Sequence, residues 1–273
     1  MLNLGLGRAL LPFSLFFSLA SAADTLSGEV AQSSTGGHSP TVELSEHSIE
    51  RGERLSHIVG CDRCHGEGAG GAVFLQTPGG SRFIAPSIPA AIGRYSRDEI
   101  EAIVRHGRYP DGSVVWSGMP AYQFKSMSDV DYAAIIGYLE SLPKRSNPLP
   151  NPLIGEDFDR LSALRRKNAD IGSDIEHPSD TPTTSLALGE YLATLSCIGC
   201  HGVDYQGARN APNLIVITAY SREDFGTLMR DGLGVGGRQL ETMRTMVAER
   251  FIYLTEDELD AIYNFLRKRV RTI

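Results

Sequence analysis

The feature that most constrains this chain is an internal repeat that contains all four of its cysteines. Residues 49–66, IERGERLSHIVGCDRCHG, match residues 186–202, LALGEYLATLSCIGCHG, with one residue fewer in the second copy. Downstream, the APSI of residues 85–88 matches the APNL of residues 211–214. Self-similarity of this kind predicts a tandem duplication in which each copy forms the same fold.

Both copies contain the frame Cys-x-x-Cys-His, at residues 61–65 and 197–201. This spacing is the attachment motif for c-type haem. Each thiol adds across one vinyl group of the porphyrin, and the adjacent histidine lies beneath the iron as an axial ligand. We therefore predict two covalently bound haem c groups. The predicted thioether residues are Cys61, Cys64, Cys197 and Cys200, and the predicted proximal ligands are His65 and His201.

Two other uses of the four cysteines are open. A zinc site could join the cysteines of both copies, but it leaves both histidines without a role. A pair of thiol–disulfide sites would suit an exported chain, but the strand-rich context of a thioredoxin-like domain is missing. Haem attachment gives a role to every cysteine and to both adjacent histidines, so it is the favoured interpretation.

The second axial ligand separates an electron carrier from a site open to substrate. Met119 lies in the Gly/Pro loop SGMPAYQF of residues 117–124, outside any helical stripe. Aligning the final helices of the two copies places Met246 opposite Met119, with Met243 in the same segment. We predict Met119 and Met246 as iron ligands, with Met243 as the alternative in the second copy. A thioether favours Fe(II), so His/Met ligation raises the potential and leaves no position for a substrate.

The periodic segments of the chain are helical, and no run of alternating strands is visible. Helix-start patterns occur at Ser96, Ser128, Ser221 and Thr255, each with an acidic residue three positions later. Apolar residues recur at helical spacing near the end of each copy. They are Ile135, Tyr138, Leu139 and Leu142, and Leu259, Ile262, Tyr263 and Leu266. We predict an all-α protein in which two helical domains each wrap one haem.

Composition predicts how the rest of the chain is divided. Arg8, the apolar run that follows it and the small residues at 20–22 have the pattern of a cleaved signal peptide, which predicts export to the periplasm. That run is shorter than the roughly 20 residues that cross a bilayer, so we expect a mature chain without a transmembrane segment. The predicted organisation is a signal peptide (1–22), a disordered tail (23–47), a first domain (48–143), a Pro-rich linker (144–183) and a second domain (184–273).

Each copy resembles a class I cytochrome c domain. The whole chain resembles the cytochrome c subunits of membrane or periplasmic dehydrogenases, with phrases such as GEYLA at residues 189–193 before the second motif. The first copy departs from the second by ten more residues between its motif and Pro86, including two Gly-Gly pairs. We expect this insertion to form a surface for a partner protein.

The resemblance implies roles for residues outside the motifs. The carbonyls of Pro86 and Pro212 would accept the ring N–H of the two proximal histidines and fix their orientation. Gly52 and Gly189 would let the last helix of each domain cross closely over the first, through Tyr138 and Phe265.

These features predict an exported dihaem cytochrome c that passes single electrons from a dehydrogenase or carrier to an acceptor such as a terminal oxidase. The expected partners are redox proteins, namely a dehydrogenase subunit, a small cytochrome or an oxidase, with possible peripheral association with a membrane complex. The formal net charge of −7 disfavours nucleic acid. The main alternative is a dihaem oxidoreductase that acts on peroxide or an inorganic sulfur compound, and a redox sensor is a third.

Overall fold

The computed structural model describes residues 45–144, 148–158, 168, 177–208 and 211–270. The predicted signal peptide, most of the predicted tail and much of the predicted linker lie outside these ranges. The first helix begins at Glu46 and is capped by Ser45, whose side chain accepts from the Ser48 N–H. The helix therefore starts inside the segment that we predicted to be a disordered tail.

The first copy is built mainly from helices, with one antiparallel hairpin after the cysteine motif. A short 3₁₀ turn, Glu67–Ala69, leads into that hairpin. The elements are α1 (Glu46–Val59), α2 (Cys61–His65), β1 (Ala72–Gln76), β2 (Arg82–Ala85), α3 (Ile88–Ile92), α4 (Arg97–Arg105), α5 (Ala121–Phe124) and α6 (Asp129–Ser141).

The second copy repeats the order of the helices, with a 3₁₀ segment, Leu214–Ala219, in place of α3, but its two short strands follow the middle helix instead of the cysteine motif. Its elements are α7 (Ser185–Ser196), α8 (Ile198–His201), α9 (Arg222–Asp231), β3 (Leu233–Gly234), β4 (Arg238–Gln239), α10 (Glu241–Glu249) and α11 (Glu256–Arg269), with 3₁₀ turns at Val235–Gly237 and Phe251–Tyr253. Among the described residues, no helix combines the length and apolar character that crossing a membrane requires.

The four predicted helix starts are confirmed. Ser96 Oγ accepts from the Glu99 N–H at 3.2 Å, and the Glu99 carboxylate accepts from the Ser96 N–H at 2.8 Å. Ser221 and Thr255 form the same reciprocal pair with the acidic residue three positions later, and Ser128 forms the forward bond to the Asp131 N–H. Each pair satisfies N–H groups that the helix itself leaves unbonded.

In each copy the first and last helices cross at a glycine, as the resemblance implied. A Cβ atom at Gly52 would lie 1.9 Å from the carbonyl oxygen of Ala134, and one at Gly189 would lie 2.0 Å from that of Ala261. Phe265 also borders the second crossing, whereas the nearest neighbours of Gly52 belong to Ala134 and Ile135 rather than to Tyr138. The absence of a side chain lets the two backbones meet.

Gly52→Ala is therefore expected to destabilise the protein by about 3 kcal/mol, because the added methyl group forces α1 and α6 apart. Urea unfolding of the holoprotein measures the change. Gly226→Ala is the matched control, since this glycine lies within α9 and meets only the flexible end of Arg222. The control should be neutral or slightly stabilising, because alanine favours a helix more than glycine. Equal losses in both variants would contradict the crossing argument.

The insertion in the first copy forms a β-hairpin, which the sequence analysis did not predict. Strands β1 and β2 pair antiparallel, with a bulge between Val73 and Leu75. The chain beyond α6 extends this ladder, because Arg82 and Leu153 exchange backbone hydrogen bonds at 3.0 and 3.1 Å. The part of the predicted linker around Leu153 therefore packs on the first copy.

A continuous apolar cluster joins the two copies, which belong to one compact unit. It includes Leu55 and Phe124 from the first copy and Leu192 and Phe251 from the second. The predicted stripes contribute to it, because Ile135, Leu139, Leu259, Ile262 and Leu266 are buried and Tyr138, Leu142 and Tyr263 pack against them.

A buried carboxylate, Asp131, links the two copies by hydrogen bonds. It accepts from Arg51 at 2.6 and 2.9 Å and from the hydroxyl of Tyr191 at 2.7 Å. Tyr191 also accepts from the N–H of Ser128 at 3.1 Å, so the second copy helps to cap the start of α6. Arg54 and Glu258 form another link, with N–O distances of 2.7 and 3.0 Å.

Asp131→Ala is expected to cost about 3 kcal/mol, because it removes a buried carboxylate that accepts from Arg51 and leaves the Tyr191 hydroxyl, on a buried residue, without its acceptor. Guanidinium unfolding of the holoprotein measures this loss. Asp98→Ala is the control, since Asp98 is exposed in the first turn of α4, and it should change stability by less than about 0.5 kcal/mol. A loss as small for Asp131→Ala as for Asp98→Ala would show that the link adds nothing.

Candidate functional site

The first cysteine motif forms its own short helix directly after α1. Gly60 ends α1 with a left-handed φ of 85°, which turns the chain into α2. Cys61 and Cys64 are three residues apart in α2, so both thiols lie on one side of a single helical turn. Burial, followed by the charges of Asp62 and Cys64, raises the pKa of the Cys61 thiol to about 12.

The second motif has the same arrangement at the end of α7. Cys197 closes α7 and Cys200 lies in α8. Burial raises the pKa of the Cys197 thiol, and a contact with Ser196 partly offsets it. All four cysteines are free of disulfides. Reactive thiol–disulfide sites lower the thiol pKa, so raised values at Cys61, Cys64 and Cys197 disfavour that alternative.

Both motif histidines are held by the proline carbonyls that the resemblance indicated. The Nδ1 atom of His65 lies 2.6 Å from the Pro86 oxygen, and that of His201 lies 2.8 Å from the Pro212 oxygen. A carbonyl only accepts, so each Nδ1 carries the proton and each Nε2 keeps its lone pair for a metal. Burial lowers the pKa of His65, although the bond to Pro86 opposes the shift, and a neutral ring is the form that ligates.

Met119 lies in a loop that is fixed by its backbone. The Met119 N–H donates to the Trp116 carbonyl at 2.9 Å, and the Ala121 N–H donates to the Met119 carbonyl at 2.9 Å. The Trp116 ring stacks on Phe83 of the hairpin, with ring centroids 4.3 Å apart. The hairpin and the methionine loop therefore support one another.

Asn168 is a positioning residue that the sequence analysis missed. It is fully buried, and its Nδ2 donates to the carbonyls of Val115 and Met119 at 2.9 Å each. Its Oδ1 accepts from the Tyr122 N–H at 3.2 Å, so one amide closes both ends of the Met119 loop. Asn168 falls in the predicted linker, where no periodicity or motif distinguishes it from its polar neighbours.

In the second copy, Met246 and Met243 lie in helix α10, unlike Met119, which lies in a loop. Met246 is 6% exposed and packs in the common core, whereas Met243, one turn earlier, is only partly buried. Met229 is buried within α9, as expected for a core residue. The two candidates for the distal iron ligand therefore share one helix, and the greater burial of Met246 favours it over Met243 as that ligand.

The residues present fit a haem c in each copy. Two free thiols on one helical turn match the two vinyl groups, and a histidine with a committed Nδ1 offers its Nε2 to iron. In the first copy, the buried Nε1 of Trp116 has no acceptor among the described residues, so it is available to an acceptor on a bound group. A zinc site would again leave both fixed histidines without a role.

Two protein-family models match the chain. The cytochrome c family matches residues 186–269, and the family described as cytochrome c oxidase, cbb3-type, subunit III, matches residues 47–139. Each match contains one cysteine motif and its histidine. The two families thus account separately for the two copies of the repeat.

Similar curated proteins are cytochrome subunits. The gluconate 2-dehydrogenase cytochrome c subunit of Pantoea cypripedii is 32% identical, and the match covers 82% of this chain and 60% of that protein. The cytochrome c subunit of the quinone alcohol dehydrogenase of Gluconacetobacter polyoxogenes is 24% identical, over 83% of this chain and 57% of that protein. The fructose dehydrogenase cytochrome subunit of Gluconobacter japonicus is also 24% identical, over 81% and 52%.

This chain thus spans between half and two thirds of the length of these relatives. Both halves of the repeat match cytochrome families, and each presents a complete attachment motif. The chain is a dihaem c-type cytochrome, with two cytochrome c domains and two covalently bound haem c groups, and its function is electron transfer.

Proposed function

We propose that the protein relays single electrons from a dehydrogenase or small carrier to an acceptor such as a terminal oxidase. The observation that supports this proposal is that each copy pairs a histidine whose Nδ1 is fixed by a proline carbonyl with a methionine at a matching position of the repeat. In this proposal His65 and His201 would be the proximal ligands, and Met119 and Met246 would be the distal ligands. Each haem supplies a one-electron Fe(III)/Fe(II) couple, and two protein ligands leave its iron no position for a substrate.

The protein's own residues would favour the reduced state and hold the ligands in fixed positions. The methionine thioethers are soft and neutral, which favours Fe(II). Pro86 and Pro212 fix the imidazole rings, so ligand geometry need not change when an electron arrives. Asn168 anchors the Met119 loop through its bonds to the Val115 and Met119 carbonyls. A fixed ligand set is what a carrier requires.

The relatives' names suggest the donor. They are cytochrome subunits of alcohol, fructose and gluconate dehydrogenases, which supports a dehydrogenase as the source of electrons. The test uses membranes from the producing organism, purified oxidised holoprotein and ethanol, fructose or gluconate. Reduction of both haems with at least one of these substrates, followed in a stopped-flow spectrometer, would support the proposal.

The competing function is turnover of peroxide or an inorganic sulfur compound. The reduced holoprotein is mixed with hydrogen peroxide, and separately the oxidised holoprotein with thiosulfate. A carrier should show no multiple turnover with either. Sustained consumption of peroxide or thiosulfate, with no reduction by substrate-energised membranes, would replace the carrier assignment with that of an enzyme.

We also propose export through a signal peptide that ends at Ala22. The support is Arg8, the apolar run after it and the small residues before the cleavage point. Covalent haem attachment to Cys-x-x-Cys-His motifs also suits an exported chain. Edman sequencing of the mature holoprotein should begin at Ala23. An N-terminus at Met1 in the holoprotein would show that no cleavage occurs.

A further inference from the structure

The two copies contact one another through equivalent segments of the repeat. Gln123 follows the Met119 loop, and its Nε2 donates to the Leu195 carbonyl at 3.3 Å in the last turn of α7. Arg250 follows α10, and its Nε and Nη2 donate to the Ile58 carbonyl at 2.9 and 2.6 Å in the last turn of α1. Each side chain thus reaches the helix end that leads into the opposite cysteine motif.

Gln123 and Arg250 occupy equivalent positions of the repeat, since each directly precedes the phenylalanine of a matched pair, Phe124 and Phe251. Both also approach the motif itself. A Cβ atom at Gly199, between the cysteines of the second motif, would lie 2.6 Å from Gln123 Oε1. The chemical difference between the two contacts is charge, because one side chain is a neutral amide and the other a guanidinium.

The Arg250 guanidinium is buried without a carboxylate partner. It is 9% exposed, lies over the Phe251 ring and packs against Gly60, the residue before Cys61. It forms no ion pair within the part of the chain that the structure describes. The neighbouring charges of Arg63 and Glu249 are exposed and paired to each other at 2.8 Å.

Arg250 also contacts segments that belong to both haem sites. Its side chain reaches the end of α1 and packs against Gly60, the residue before Cys61. Its backbone N–H donates to the carbonyl of Met246, the proposed distal ligand of the second haem, at 2.9 Å. One cation therefore lies between the first attachment motif and the segment that carries the distal methionine of the second copy.

We propose that Arg250 is a shared buried cation that raises the reduction potentials of both haems. Reduction adds one negative charge to each haem, and a nearby positive charge stabilises that state. The interaction is strong in a buried setting because little water or salt intervenes. The inference rests on the electron-transfer function. It names a residue of this chain that adjusts the reduction potentials of the haems and so the driving force for electron transfer.

A purely structural role is the competing explanation, because Arg250 also satisfies an unbonded carbonyl near the end of α1. Gln123 does the same for α7 without a charge, which provides a matched control. Three variants separate the electrostatic role from the structural one. Arg250→Gln replaces the arginine by the residue found at position 123 and so removes the charge, whereas Arg250→Lys keeps the charge. Gln123→Ala removes the equivalent hydrogen bond to α7 but changes no charge.

The measurement is a spectroelectrochemical titration of the purified holoproteins with soluble mediators. At fixed ambient potential, Arg250→Gln should lower the reduced-to-oxidised ratio of both haems about tenfold, which corresponds to about 59 mV for one electron. Arg250→Lys and Gln123→Ala should stay within about twofold of the wild type. The Arg250→Gln effect should persist at about 1 M salt, where exposed charges are screened.

Three results would overturn the inference: a shift of only one haem in Arg250→Gln, no shift of either haem, or an equal shift in Gln123→Ala. Retention of the absorption band of methionine-ligated ferric haem shows that the axial ligands are intact. If Arg250→Gln does not assemble, Arg250→Met removes the same charge with an unbranched side chain and is judged by the same criteria. In this titration the electrode and mediators take the place of the biological partners. The measured potentials therefore remain valid even if no dehydrogenase donor is found for the proposed function.

Discussion

Replacing both Cys197 and Cys200 with alanine is expected to leave one covalent haem per chain instead of two. The two thiols are one helical turn apart where α7 leads into α8, and together they would supply both thioether bonds of the second haem. Without those bonds, a haem held only by axial ligands is released when the chain unfolds. The haem-to-protein ratio of the denatured protein, measured by the pyridine haemochrome method, should fall by half.

The matched variant changes Cys61 and Cys64 and should give the same ratio, because each motif serves its own copy. Changing all four cysteines should remove every covalent haem and the haem stain on a denaturing gel. A ratio that stays at two in the Cys197/Cys200 variant would show that attachment does not depend on these thiols. Zinc that a chelator removes from the wild type in place of haem would favour the four-cysteine metal site.

The same double variant should also lower the stability of the second copy. A group that binds only the folded state stabilises it, so its loss shifts the unfolding equilibrium toward the unfolded chain. Because the two copies share one apolar cluster and the Asp131–Tyr191 bond, we expect the first copy to be destabilised too. Thermal unfolding followed by circular dichroism should therefore show a lower Tm for the whole chain.

The sequence predicts those parts of the site whose chemistry depends on short spacing. The cysteine motifs and the capping residues each depend on residues that are close along the chain and recur in both copies. The proline carbonyls that face His65 and His201 were predicted through the family resemblance, and the structure places the atoms at hydrogen-bonding distance. Local rules suffice for the motifs and the caps, whereas the proline carbonyls and the crossing glycines were predicted from the resemblance.

The remaining features depend on contacts between distant segments. Asn168 closes the Met119 loop from a stretch with no periodic pattern, and β1 and β2 are completed by the backbone of Leu153. Arg250 is unremarkable in the sequence, since its role depends on the Ile58 carbonyl of the other copy. The bulge in β1 also breaks the strict alternation that would have indicated a strand. Such contacts become visible only in three dimensions.

Met246→Ala is expected to lower the reduction potential of the second haem on the order of 0.1 V, because axial ligands set haem potentials over roughly 0.8 V and a thioether favours Fe(II). The substitution should also open the sixth iron position, so carbon monoxide should bind the reduced second haem. Magnetic circular dichroism of the oxidised protein should show two methionine-ligated haems in the wild type and one in Met246→Ala.

Two other methionines provide the controls. Met243 lies one turn earlier on α10 and is partly buried, and Met229 is buried in α9. Met243→Ala should leave the ligation signal unchanged, and Met229→Ala should reduce stability by roughly 3 kcal/mol without changing ligation. Loss of the signal in Met243→Ala but not in Met246→Ala would transfer the ligand role to Met243.

A third outcome would change the view of the whole second copy. If the wild type already showed a single methionine-ligated haem and neither variant altered it, the second iron would have an open position. The fixed His201 would then resemble the proximal side of a reactive centre, and peroxide or a sulfur compound would become the expected substrate class. Met246 argues for the closed, carrier form, because it is a buried thioether at the position of the repeat that matches Met119.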